Sequence, residues 1–263
     1  MTARRELAPI RFGTDGWRAV IADAFTFENV ERVAQAYAEY IFRQQAEREH
    51  EAQEADEARQ HAAQVSGERH RAEARASSEA DGLSSSDADA TPARRGVDEG
   101  ASRRGTGDPE APFVVVGYDR RFLSGEFAAR ASEVLAGNGA HVALFETDVP
   151  TPLVSWAVRE QGAAGGVVIT ASHNPPNFNG FKIKAPFGGS ATPEMTVAVE
   201  ALVDANEPQR ESLPAGGRAS QEALYSSVET YRAQVASYVD LERLRTTKAR
   251  VVVDPMHGSG GRW

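Results

Sequence analysis

Gly165-Gly-Val-Val-Ile-Thr-Ala-Ser-His-Asn-Pro-Pro-Asn-Phe-Asn-Gly-Phe-Lys-Ile-Lys184 is the stretch that decides the fold. Gly165 to Thr170 is a short apolar run closed by polar residues, the pattern of a strand buried on both faces. Phe113-Val-Val-Val-Gly117 and His141 to Phe145 read the same way. Helical stretches separate these runs: Ser124 to Asn138, Pro152 to Gln161 and, further on, Pro193 to Ala205 and Leu224 to Val239. Ahead of them, Phe27 to Phe42 places apolar residues at Phe27, Val30, Val33, Ala34, Tyr37 and Ile41, one face of a helix, with Thr26 as its cap. Short buried strands alternating with helices predict an α/β fold, a mainly parallel sheet with helices on both faces.

Composition narrows the chemistry. The chain has 263 residues and a net charge of -9, with 41% hydrophobic and 25% charged residues, a globular balance. No run approaches the roughly 18 uncharged apolar residues of a membrane span. The start, Met1 to Glu6, lacks the apolar core of a secretory signal, so the cytoplasm is the expected address and no membrane partner is expected. With Cys 0, disulfides, thiolate nucleophiles and Cys-held zinc are excluded; any metal must sit on oxygen or imidazole.

The charge is unevenly spread. Ala46 to Ala111 holds 16 acidic residues against 9 arginines, hence -7 of the total, and its only large aliphatic residues are Val65, Leu83 and Val97. Such a segment cannot bury enough surface to offset its ordering entropy. We read 46–111 as an acidic low-complexity insertion, Gln45 to Ala76 extending the first helix and Ser77 to Pro112 forming a disordered linker. Arg94-Arg95 and Arg103-Arg104 are interleaved with acidic residues, so nucleic acid is not an expected partner. The remainder divides into an α/β domain, 1–45 with 112–245, and 246–263. Within the latter, Arg250-Val-Val-Val-Asp254 reads as a strand and Pro255 to Gly261 as a turn. A lone strand cannot bury itself, so the chain reads as truncated within a second domain.

In open parallel sheets ligands bind beyond the carboxyl ends of strands, where Thr170, Ser172, His173 and Asn174 fall. A Ser-His-Asp hydrolase is disfavoured: G-x-S-x-G is absent, and in extended backbone His173 points away from Ser172. Asn179-Gly180 reads as a hairpin turn, and the alternation after it puts Lys182 and Lys184 on one face, able to meet the serine loop. They are two of only three lysines, the third being Lys248. Each feature also has an ordinary reading: Asn-Pro-Pro-Asn as a turn, His173 as a loop residue, Lys182 as a solvated charge. Two further clusters carry guanidinium groups suited to phosphate, Arg11-Phe-Gly-Thr-Asp-Gly-Trp-Arg18 before the first helix and Gly117-Tyr-Asp-Arg-Arg121 at a strand end. Together the three loops point to an anionic, phosphorylated substrate.

Arg11 to Arg18, Val116 to Arg121 with Phe-Leu-Ser-Gly125, Thr170-Ala-Ser-His-Asn-Pro175, Asn179-Gly-Phe-Lys182 and Val253-Asp-Pro-Met-His-Gly258, in this order, resemble the α-D-phosphohexomutase family, phosphoglucomutase/phosphomannomutase. The resemblance implies the α/β first domain of a four-domain enzyme that moves phosphate between C1 and C6 of a hexose through a hexose 1,6-bisphosphate. It implies that Ser172 carries the transferred phosphate and that Lys182 is the general acid/base. His173, Asn174 and Thr170 would shape the serine loop, and Arg18 and Arg121 would contact phosphate or support that loop. The family holds Mg²⁺ between the phosphoserine and an Asp-x-Asp-x-Asp loop of its second domain. Here Ser172, through its phosphate, is the only such ligand, and the remaining loops would come from a second polypeptide supplying domains II to IV. Two other functions stand beside this one: a noncatalytic phosphosugar-binding or interaction protein derived from the first domain, and an unrelated α/β phosphatase using Ser172.

Overall fold

The computed structural model describes residues 9–80, 111–213 and 221–263. By contacts the chain divides into two units, Met1–Arg43 with Arg103–Trp263, and Gln44–Ser102.

The first unit is built on five strands: β1 (Gly16–Val20), β2 (Phe113–Tyr118), β3 (His141–Leu144), β4 (Gly165–Ile169) and β5 (Phe178–Lys184). Their order across the sheet is β1-β5-β4-β2-β3. β3, β2 and β4 run parallel, and β5 and β1 extend the sheet antiparallel on the β4 side. Around it lie α1 (Phe27–Ala80), α2 (Ser124–Gly137), α3 (Thr151–Glu160), α4 (Pro193–Leu202), α5 (Gln221–Ser237) and α6 (Leu241–Thr246). The architecture is α/β, as the strand and helix pattern requires.

Each sheet face has its own core. Val114, Val116, Val167, Ile169, Phe181 and Ile183 pack with Val30, Val33, Ala34, Tyr37 and Ile41 of α1 and with α2 residues Phe127, Ala131 and Leu135. On the other face Val115, Ala143 and Val168 meet Leu153, Val154, Ala157 and Val158 of α3 and Leu224 of α5. Helices therefore cover both faces, and burying a Val, Leu or Phe side chain here contributes about 1.5–3 kcal/mol. Thr26 caps α1, its Oγ1 accepting the Asn29 N–H at 3.2 Å.

Three local expectations are corrected. Asn179-Gly180 is not a turn but lies inside β5; the chain reverses earlier, through residues 170–177, where Phe178 N–H donates to Pro175 O at 3.0 Å. Asn-Pro-Pro-Asn supplies that reversal, leaving Gly180 free for close strand packing. The Arg11–Arg18 stretch is only partly a loop, because Gly16 to Arg18 open β1 and pair with β5. Val251, Val252 and Val253 form no strand and are 78%, 93% and 82% exposed; β-branched residues alone do not make a strand without a partner edge. Residues 255–258 do turn, with Gly258 N–H donating to Pro255 O at 2.8 Å.

In the second unit α1 runs on to Ala80, so Ser77 to Ala80 are helical, while 81–110, where the linker was expected, lie outside the described residues. From Ala46 to Gln64 every side chain is exposed. Local pairs line this part, including Gln45 to Glu49 at 2.7 Å and Gln60 to Asp56 at 2.8 Å.

Candidate active site

The loop after β4 projects from the carboxyl end of the parallel strands, the place where such sheets bind ligands. Ser172 is exposed and sits in the left-handed region, φ 55°. That conformation is unfavourable for a residue with a side chain and persists only where surrounding contacts impose it. It also removes the expectation that His173 points away from the serine. Ser172 Oγ lies 3.4 Å from His173 Nδ1 because the backbone turns rather than extends.

Arg121 imposes the conformation. Its Nη1 donates to Pro175 O at 2.8 Å and Phe178 O at 3.0 Å; its Nη2 donates to Ser172 O at 2.8 Å and Asn174 O at 2.7 Å. Nε faces Asp119 Oδ2 at 3.4 Å. The planar fork of guanidinium donors is thus spent on the loop's own backbone. Of the two roles expected for Arg121, this geometry serves loop support.

Asp119 is the second anchor. Its Oδ1 accepts the Arg121 N–H and the Ser124 hydroxyl, both at 2.9 Å, and its Oδ2 accepts the Thr170 hydroxyl at 2.6 Å. Thr170, 5% exposed, in turn accepts the Ser172 N–H on Oγ1 at 3.1 Å. Asn179, fully buried, donates to Ser124 Oγ at 2.9 Å. Thus β2, β4, β5 and the start of α2 all hold one loop. Asn174 places its backbone in this web, its N–H donating to Ala171 O at 3.0 Å, while its Oδ1 is buried without a hydrogen-bond partner. Asp119, Ser124 and Asn179 were not read from the sequence as site residues. Asp119 follows a buried strand just as Thr170 does, so the same positional criterion would have found it.

Beside the loop, β1 and β5 carry Arg18 and Lys182. Lys182 Nζ donates to Asp15 Oδ2 at 2.8 Å, and Arg18 Nη2 donates to Asp15 Oδ1 at 3.3 Å. No hydrogen bond joins Lys182 to Ser172 among the described residues. Burial pushes the Asp15 carboxyl up, but the hydrogen bond and charge of Lys182, with Arg18 and Lys184, outweigh it and hold it below its ordinary value. Lys184 shares the face of Lys182, as the alternation predicted. Burial, then the neighbouring Lys182 charge, pulls its ammonium below the ordinary lysine value, with Asp15 working in the opposite sense.

Among the described residues no group of three His, Asp or Glu side chains is arranged to hold a metal ion. Asp119, the carboxylate tied to the serine loop, is committed to Thr170, Ser124 and Arg121.

The first unit is thus an α/β/α domain that presents an exposed, conformationally constrained serine at the carboxyl end of its parallel strands and a row of cations along one face of β1 and β5. Residues 101–210 match the family described as phosphoglucomutase/phosphomannomutase, alpha/beta/alpha domain I. A phosphoglucomutase/phosphomannomutase of Thermococcus kodakarensis is 36% identical over 155 residues, 57% of this chain and 32% of that protein. A probable phosphomannomutase of Haemophilus influenzae is 38% identical over 101 residues, 37% of this chain and 21% of that protein. The crystal structure of a putative phosphomannomutase from Thermus thermophilus superposes with a TM-score of 0.50 at 34% identity, over 77% of this chain and 31% of that one. Over this domain the chain is similar to domain I of the phosphoglucomutase/phosphomannomutase family, and it spans at most about a third of the length of these relatives.

Proposed function

We propose that this chain is the phosphoserine domain of a phosphohexomutase, moving phosphate between C1 and C6 of a hexose phosphate through Ser172. One observation carries the reading: an exposed serine hydroxyl, in a strained backbone conformation, on a loop whose four carbonyls are gripped by one guanidinium group. Such pre-organisation serves in-line phosphoryl transfer, where the protein positions groups and neutralises spread charge.

In the proposed reaction a sugar hydroxyl oxygen attacks phosphorus on phospho-Ser172. The P–Oγ bond breaks as the new O–P bond forms, giving a hexose 1,6-bisphosphate. The hydroxyl proton passes to Lys182, and Oγ regains a proton from solvent or from His173, whose Nδ1 lies 3.4 Å away. Reversal on the other phosphate of the reoriented sugar regenerates phosphoserine. Arg18, paired with Asp15 and with its side chain 33% exposed, reaches solvent to meet phosphate, while Arg121, Thr170 and Asn174 keep the loop in shape. Mg²⁺ would neutralise the phosphoryl charge; its remaining ligands, and the contacts that select glucose or mannose, would come from domains II to IV, in the same or a second polypeptide. We place the protein in the cytoplasm, where hexose phosphates are metabolised.

The test is incubation with hexose 1,6-bisphosphate followed by intact-mass and peptide mass spectrometry. One added phosphate that maps to Ser172, and is missing from Ser172→Ala, is the expected result. Release of inorganic phosphate without a labelled serine would point instead to a phosphatase, and no transfer at all to a phosphosugar-binding domain.

A further inference from the structure

Arg18 on β1 and Lys182 and Lys184 on β5 form a row on one face of the sheet, and each stands opposite a glycine on a neighbouring strand. The register pairs Arg18 with Gly180, Lys182 with Gly16 and Lys184 with Gly166. The missing side chains make the room. A Cβ on Gly180 would come within 2.8 Å of Arg18 Cγ, and one on Gly16 within 2.9 Å of Lys182 Cα. At Gly166 it would touch Lys184 Cβ at 3.5 Å.

Two cations share one carboxylate. Asp15 accepts from Lys182 at 2.8 Å and from Arg18 at 3.3 Å, and Ser190 Oγ adds a contact at 3.4 Å. Lys184, only 7% exposed, has no hydrogen bond to its Nζ among the described residues. β4 brings no charged residue to this face. On α3, Arg159 packs by the turn after β5, against Gly188 rather than against Lys182. The charged groups around Lys182 are therefore Asp15, Arg18 and Lys184, one anion against two cations. A buried ammonium beside a second one favours loss of a proton from either, whereas a hydrogen-bonded carboxylate favours retention.

We propose that Asp15 is a positioning residue that holds Lys182 Nζ in place on this face through their direct contact at 2.8 Å, and that Lys184 is the buried cation opposing it. The inference rests on Lys182 being the proton-exchanging group of the reading above, and it assigns two residues that control that exchange. Asp15 fixes where Lys182 Nζ sits, and Lys184 places a second cation beside it.

With only three lysines, the chain can report on each separately. Trace acetylation with acetic anhydride at fixed pH, read by peptide mass spectrometry, gives the rates of Lys182 and Lys184 relative to exposed Lys248. Asp15→Asn is expected to raise the Lys182 rate about tenfold, the effect of removing an opposite charge at hydrogen-bond distance, and Asp15→Glu to restore it. Lys184→Met is expected to lower the Lys182 rate several-fold. An unchanged Lys182 rate in Asp15→Asn and Lys184→Met would overturn the proposal, leaving Asp15 a structural ion pair. Unfolding of Asp15→Asn would show as Lys184 reacting as fast as Lys248, and Lys184→Met and Asp15→Glu then decide. The rates do not depend on phosphoryl transfer. Lysines that respond in a chain whose Ser172 takes no phosphate would sink the functional reading alone; a labelled Ser172 with unresponsive lysines would sink this inference alone.

Discussion

Arg121 does with one side chain what several would otherwise do, since four carbonyls of the serine loop converge on its terminal nitrogens. A lysine has the charge but not the fork. Arg121→Lys is therefore expected to leave the fold intact and to slow phosphorylation of Ser172 by about a hundredfold, the effect of a loop misplaced by an ångström, measured as label incorporated against time. Thr170→Val should act through stability. It leaves Asp119 and the Ser172 N–H each one partner short, at a cost of about 1–3 kcal/mol in urea denaturation. Lys184 gives a pH signature. Its folded-state value lies below the ordinary one, so the unfolded chain binds the proton more tightly and stability rises as pH climbs from the folded value towards about 10.4. Lys184→Met should remove that rise in thermal melts between neutral and alkaline pH. Asp15 works oppositely: held below its ordinary value, it contributes stability above about pH 4 that fades as pH falls through the folded value.

At the scale of elements, β5 makes the site possible by lying between β4 and β1. It can do so because Gly180 has no side chain: a Cβ there would meet Thr170 O at 2.7 Å and Trp17 O at 2.9 Å, both backbone. Neither atom can move without shifting a strand, so Gly180→Ala should cost about 1–3 kcal/mol and displace the serine loop with it. Differential melting of the variant and protease susceptibility at 170–177 would read the two effects, and an unchanged melt would show that β1 can yield. Gly16 is tighter, at φ 155° and with Phe181 O 2.1 Å from an added Cβ.

For the whole molecule, the buried stripe of α1 ends at Ile41 and Phe42, and the exposed part of the helix from Ala46 to Gln64 depends on its own backbone bonds and on pairs worth a few tenths of a kcal/mol each. Closing a long connection costs little more than closing a short one. Replacing 46–110 with a short Gly/Ser linker is thus expected to leave the melting of the α/β unit within a few degrees, checked by calorimetry. A large drop would mean that the acidic segment contributes to the stability of the core.

What the sequence by itself determined was periodicity and position. Buried apolar runs marked the β2, β3 and β4 strands, helical spacing marked α1 to α5 though not the short α6, and the strand-end rule led from Ile169 to Thr170, Ser172, His173 and Asn174, because these are properties of neighbouring residues. Only the tertiary structure decided what depends on distant ones. Asn179-Gly180 became strand rather than turn because the reversal is completed by Arg121, more than fifty residues away in sequence. Val251 to Val253 had every local mark of a strand and formed none for want of an edge. Asp15 became the partner of Lys182 because antiparallel β1 and β5 bring together residues 167 positions apart, a pairing of hydrogen-bond registers that no local pattern encodes.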